Sequence, residues 1–408
     1  MAIPSGTRLI AKAACLLLGL ACFITINGVV ANPFGARRSL LGGAIFDITK
    51  FEAKADGITD NALSIIRAWK AACQSPGAAK VVIPRGNFMA GEVILAGPCV
   101  GQTTLEIQGT LLANPDPSSY TGGSWIMLQK VDNVVVTGGG TINGQGKNVW
   151  QYAGGDSPLP VSLVFQTVGN GKLHNLRFVD SMGFHSKVTD SHDISVEHLT
   201  ITAPANSPNT DGIHLSSSKN VKITDCVIGT GDDCVSIGHG TLNTDIARIT
   251  CGPGHGMSIG SLGKRVDETD LNGVRITNCT LTGTTNGVRI KTYHDSPQMT
   301  ASDIVFQDIK LIDVKNPIII DQHYNSKSKP VESKVKISNA RFINIKGSSI
   351  SPVAVSLSCS SAVPCEGIQL ENIDLVPSGK KGPLTSACSH AKLLIKGIQK
   401  PATPTNCA

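Results

Sequence analysis

Ile194-Ser-Val-Glu-His-Leu-Thr-Ile201, Val221-Lys-Ile-Thr-Asp-Cys-Val-Ile228 and Val274-Arg-Ile-Thr-Asn-Cys-Thr-Leu281 are three copies of one pattern: apolar, any, apolar, two any, apolar or small, any, apolar. The alternation within each copy is that of a strand with one buried face. Further copies start at Leu105, Val135, Ile304, Val335 and Ile368, with a weaker one at Ile246. Where the series is unbroken the starts lie about 27 to 33 residues apart, a period that belongs to solenoids and propellers. A propeller blade needs more residues per repeat and an antiparallel alternation that is missing here. The period-2 runs and abundant glycine exclude helical repeats. The reading is an all-β, single-domain, right-handed parallel β-helix, in which each coil adds inward aliphatic side chains to one continuous core.

Ahead of the first strand signal at Lys80-Val-Val-Ile-Pro84, residues Ala62, Ile65, Ile66, Trp69 and Ala72 follow helical spacing. Thr59 or Asp60 is available as the cap. A short N-terminal helix would close the apolar end of the solenoid. Composition agrees: charged residues are 16%, aromatics 4% and glycines number 43. The formal charge of +6 is spread out, with no Lys/Arg run, so nucleic acid is not expected as a partner.

Residues 1–31 read as a secretory signal peptide. Arg8 and Lys12 precede an apolar run from Ala13 to Ile26, and small residues around Val29 to Ala31 offer a cleavage site. The run is shorter than the roughly 20 residues that span a bilayer, so no membrane anchor is expected. A short extension, 32–45, leads into the β-helix domain at 46–408. Cysteine usage suits a secreted protein: ten of the twelve remain after the signal. Proximity in sequence pairs Cys73 with Cys99, Cys234 with Cys251, Cys359 with Cys365 and Cys388 with Cys407. Cys226 and Cys279 occupy equivalent repeat positions and read as small buried residues. No C-x-x-C unit or histidine-rich neighbourhood suggests zinc.

Chemistry concentrates between Asn209 and Lys291. Asp211-Gly-Ile-His-Leu, Asp233-Cys-Val-Ser-Ile, His255-Gly-Met-Ser-Ile and Asn286-Gly-Val-Arg-Ile overlay as successive strands. With strands about 4.8 Å apart, Asp211, Asp233 and His255 would form a surface ladder. Arg289 and Lys291 share a face by their spacing of two. Polar ladders on a β-helix are ordinarily solvated, but adjacent carboxylates repel, so a purely structural face would avoid Asp211, Asp232 and Asp233. Gly256-Met-Ser-Ile-Gly260 fits the nucleophile elbow of serine hydrolases, yet it lies inside a strand, which argues against a nucleophilic Ser258. Asn278-Cys-Thr is a glycosylation sequon placed in a repeat strand.

The strings Asn209-Thr-Asp211, Gly231-Asp-Asp233, Gly254-His-Gly256 and Arg289-Ile-Lys291, in this order, resemble the four signatures of the polygalacturonases, the pectin-hydrolysing enzymes of glycoside hydrolase family 28. The similarity spans nearly the whole mature chain. Its style, including Ala55-Asp-Gly57 and Ser261-Leu-Gly263, is similar to the plant pollen group of exopolygalacturonases. One departure stands out: Asn325 follows Tyr324 where relatives commonly have a cysteine, which puts one disulfide in doubt.

The resemblance implies an inverting hydrolase secreted to the cell wall. It would cleave α-1,4-galacturonosidic bonds of polygalacturonate as a monomer without cofactor or metal. Asp232 would be the general acid, with its pKa raised by crowding, and Asp211 and Asp233 would activate water. His255 would hold or relay a proton. Asn209, Arg289, Lys291 and Tyr324 would bind substrate, the two cations meeting the galacturonate carboxylate. Exo rather than endo action rests on the resemblance alone. Rival readings are a pectate or pectin lyase and a non-catalytic β-helix that binds wall polysaccharide.

Overall fold

A computed structural model describes residues 43–155, 158–326, 331–379, 382–404 and 407. The expected signal over 1–31 and most of the extension lie outside the described residues. The first strand, Ala44–Asp47, takes in Ala44 and Ile45 at the end of that extension.

The chain coils as a parallel β-helix. Among the described residues, 22 strands make one long sheet and 11 make a second, and the strand-to-strand pairings are parallel. One row of side chains runs the length of the larger sheet in register: Phe46, Val81, Leu105, Val136, Leu173, Val196, Ile223, Ile246, Ile276, Phe306, Phe342, Leu370 and Ile395. From Val81 to Leu370 these side chains are buried, each worth about 1.5–3 kcal/mol of apolar transfer. Phe306 and Phe342 stack with ring centres 5.2 Å apart.

The two unconstrained residues inside the repeat pattern bend the coil, at the junction of two strands up to Asn278 and within the long strands Met299–Val314, Val335–Ser349 and Cys365–Pro377 after it. The second of them, at Asn175, His198, Asp225, Arg248, Asn278, Asp308, Asn344 and Asn372, adopts a left-handed backbone with φ between 54° and 58°. Asn and Asp tolerate that conformation best. They also bond along the stack: Asn344 Nδ2 donates to Asp308 Oδ1 at 2.8 Å, and Asn372 Nδ2 to Asn344 Oδ1 at 3.0 Å. Asn278 therefore sits at a corner, not within a strand as its sequence context suggests.

Four expected repeat starts are out of phase, the first being Leu105, which shares the row of Val196 and Ile223 while buried Thr103 holds the start position. Val135 faces outward between buried Val134 and Val136. Thr244, not Ile246, pairs with Val221, and Ala340, not Val335, pairs with Ile304. Threonine and alanine fill those inward positions, so an apolar-only pattern passes over them.

The helix Ala62–Cys73 covers the N-terminal end, burying Ile65, Ala68, Trp69 and Ala72. The N-cap position is Asn61, not Thr59 or Asp60 as expected, although Asp60 Oδ1 accepts from the Ala62 N–H at 2.9 Å. Trp69 Nε1 donates to Ala96 O at 3.0 Å, and the Cys73–Cys99 disulfide ties the helix end to the following coil. The other three expected disulfides also form, Cys234–Cys251, Cys359–Cys365 and Cys388–Cys407. Cys226 and Cys279 are free and buried, and burial pushes both thiols up to about 11. Among the described residues, no helix is long and apolar enough to cross a membrane.

Candidate active site

Consecutive strands Ile213–Ser216, Asp233–Ile237, Gly256–Leu262, Asn286–Tyr293 and Asn316–Tyr324 of the smaller sheet carry the site. Leu215, Ile237, Ile259, Ile290 and Ile320 stack inward and are buried. His214, Ser236, Ser258 and Arg289 form the neighbouring outward row. A register shift puts Gly256, not His255, opposite Asp233. The expected ladder of Asp211, Asp233 and His255 is corrected on that point and on exposure, since Asp211 is 5% and Asp233 1% exposed.

Glycines make that shift possible. Gly254 and Gly256 have φ of 144° and 88°, and a Cβ on Gly256 would lie 2.0 Å from Asn286 O. Left-handed backbone with a close neighbour requires glycine. Between them the His255 N–H donates to Asp232 O at 2.8 Å. The ring then reaches the same residue, with Nδ1 2.8 Å from Asp232 Oδ1.

Asp233 is held by three donors. Its Oδ1 accepts from Ser258 Oγ and from Arg289 Nη2, each at 2.8 Å, and its Oδ2 accepts from Lys291 Nζ at 2.9 Å. Arg289 Nε also donates to Ser258 Oγ at 2.9 Å. These charges answer the repulsion between stacked carboxylates, and removing one partner of such a buried set costs about 3–5 kcal/mol. Lys291 lies 5.1 Å from the Tyr324 ring centre, and Tyr324 packs edge-on against Tyr293 at 5.5 Å. Asn209 is exposed with φ of 49°, two residues from Asp211.

The electrostatics differ from expectation at Asp232. Burial would raise its carboxyl, but the hydrogen bond and charge of His255, with Lys291, hold it below the ordinary value. Its 19% exposed side chain also accepts from the Asp233 N–H at 2.8 Å. The group that crowding lifts is Asp211, well above the ordinary value through burial and then the charges of Asp232 and Asp233. Ser236 opposes that rise by donating to Asp211 Oδ2 at 2.6 Å. His255 is raised, first by its hydrogen bond to Asp232.

Ser236, His214 and His185 are supporting residues that the sequence reading left out. Because Ser236 donates to Asp211, its Oγ accepts from His214 Nδ1–H at 2.8 Å. His185 Nδ1–H donates to Asp211 O at 3.1 Å. The signal was the fourth residue of each quoted segment, His, Ser, Ser and Arg, which reads as unconstrained in any one strand. Ser258 sits within a strand with its hydroxyl engaged by Asp233 and Arg289, a positioning arrangement. Asp232, Asp233 and His255 bring potential metal-ligand atoms within 4.8 Å of one another. Both Asp233 oxygens are already taken by cationic donors, so the chemistry of this set is that of a hydrogen-bonded cluster.

Residues 73–400 match the sequence profile of glycosyl hydrolases family 28. An exopolygalacturonase of Arabidopsis thaliana is 41% identical over 393 residues, covering 93% of this chain and 92% of the relative. A polygalacturonase of Nicotiana tabacum is 44% identical over 366 residues, covering 88% and 92%. The crystal structure of an exopolygalacturonase from Thermotoga maritima superposes with a TM-score of 0.74 at 18% identity, covering 87% of this chain and 92% of that one. Fold, ordered motifs and full-length relatives agree: the chain belongs to glycosyl hydrolases family 28.

Proposed function

We propose that the protein is a secreted, exo-acting polygalacturonase that releases galacturonate from polygalacturonic acid in the cell wall with inversion at the anomeric carbon. The observation that carries this reading is the cluster of three carboxylates, Asp211, Asp232 and Asp233, backed by Arg289 and Lys291. Hydrolysis with inversion needs an acid at the leaving oxygen and a base on the opposite side for water. Asp232 serves as the acid. His255, raised and in direct contact, supplies the proton that Asp232 itself holds weakly.

Asp211 and Asp233 hold the water. Asp233 Oδ2 keeps a second lone pair beyond Lys291, whereas Oδ1 is filled by Ser258 and Arg289, and Asp211 takes the water proton once ionised. Arg289 and Lys291 meet the galacturonate carboxylate, Tyr324 supports the Lys291 side, and Asn209 contacts substrate at the rim. The exo assignment leans on the relatives with that name at about 40% identity. Endo action is the second reading, since the tobacco relative is named only as a polygalacturonase.

Product analysis on de-esterified polygalacturonic acid, comparing wild type with Asp232→Asn, tests the proposal. Galacturonate monomer from the earliest times with little viscosity loss is expected, and the variant should be nearly inactive. A ladder of oligomers would mean endo action. Unsaturated ends would mean a lyase, and no product from wild type would leave a binding role.

A further inference from the structure

The site sheet continues on the N-terminal side of Asp211 as the strand Ser186–Thr189, where Lys187 pairs with His214. Lys187 therefore stands in the outward row of His214, Ser236, Ser258 and Arg289. Two cations bracket the carboxylates, four strand spacings or about 19 Å apart along the row. Arg289 is committed to Asp233 and Ser258. Lys187 is only half-exposed and, among the described residues, its ammonium makes no ion pair and no hydrogen bond.

Its surroundings are poor in counter-charge. Burial holds the Lys187 ammonium below the ordinary lysine value, Arg265 pushes the same way, and only Asp190 opposes. Asp190 lies at an exposed turn, with its carboxylate accepting from Thr189 Oγ1 at 3.4 Å. Next to Lys187, His214 is pushed down to about 3 by burial and then by Lys187, Lys291 and His239, so it stays neutral. Its ring lies 5.1 Å from that of Phe184. A half-buried ammonium without a partner is costly, and an anionic ligand would remove that cost.

We infer that Lys187, with His214 beside it on the next strand, receives the carboxylate of the sugar released as monomer, across the scissile bond from Arg289 and Lys291. This rests on the polygalacturonase reading and names the group that recognises the second carboxylate. An ammonium-to-carboxylate bond is of the strong, charge-assisted kind, so its loss should be read as about tenfold or more in kcat/KM.

The test compares wild type, Lys187→Gln and Lys187→Arg on trigalacturonate and on the same trimer with the terminal non-reducing carboxylate reduced to an alcohol. On trigalacturonate, Lys187→Gln should lose about tenfold or more in kcat/KM, and Lys187→Arg should recover most of it. On the reduced trimer, wild type should already be slow and the glutamine variant no slower. Equal activity of Lys187→Gln and wild type on trigalacturonate would overturn the assignment, as would an equal loss on both trimers, the mark of a structural role. A wild type that cleaves neither trimer would remove the polygalacturonase reading itself.

Discussion

Replacing Ser236 with alanine removes one hydroxyl and asks what Asp211 does. That hydroxyl donates to Asp211 Oδ2 at 2.6 Å, and the carboxylate is buried, so bulk solvent does not replace the lost donor. A hydrogen bond to a charged group is worth about 1.5–3 kcal/mol. At 1.36 kcal/mol per pKa unit, Asp211 should rise by about one to two units beyond its already raised value. Asp211 acts as base only when ionised, so the acidic limb of kcat/KM against pH should move up by that amount. Below the limb the variant should be about 10- to 100-fold slower; on the plateau it should match wild type within a small factor. Initial rates on trigalacturonate across the pH range measure this. An unmoved limb, with the same loss at every pH, would refute the argument that Asp211 needs Ser236 to ionise.

Other outcomes follow from the same cluster. Because Asp211 is raised in the folded state, its stabilising contribution is full below the unfolded value near 3.9 and lost as pH rises through the folded value. Asp211→Asn should therefore abolish activity yet raise Tm at neutral pH by about 1–4 °C, with no gain near pH 3, as thermal melts would show. His255→Ala should lower kcat about a hundredfold and shift the alkaline limb, since the raised imidazolium that feeds Asp232 is gone; both limbs report the coupled cluster rather than single residues. Arg289→Lys keeps the charge but loses the fork to Asp233 and Ser258, so kcat/KM should still fall by about tenfold or more in steady-state assays. Replacing Cys234 and Cys251 together by alanine opens a loop with a sequence separation of 17 directly behind Asp233, which should cost about 3 kcal/mol in denaturant unfolding.

The coil and its contents were legible to different depths. Aliphatic rows such as Val196, Ile223 and Ile276 announce themselves because each strand repeats the same inward choice. The phase was harder where Thr244 and Ala340 fill inward positions, since neither residue marks a core by itself. Asp211, Asp232, Asp233 and His255 stood out as charges that a solvated ladder would avoid. Their individual proton affinities did not, because those depend on which partner each side chain reaches. A register shift at Gly256 turns His255 toward Asp232 rather than into line with Asp233, and that single rotation lowers Asp232 while Asp211 takes the burden of burial. Ser236 and Lys187 acquire meaning only from what lies on the next coil, which spacing in the chain does not express.

The anomeric configuration of the first product is the most direct check on an acid and a base acting from opposite sides. Proton NMR of trigalacturonate digestion, recorded before mutarotation, should show β-galacturonate ends appearing first from the α-linked substrate. If the α-anomer appears first, one of the three carboxylates attacks carbon itself, and the assignment of Asp211 and Asp233 to water is wrong.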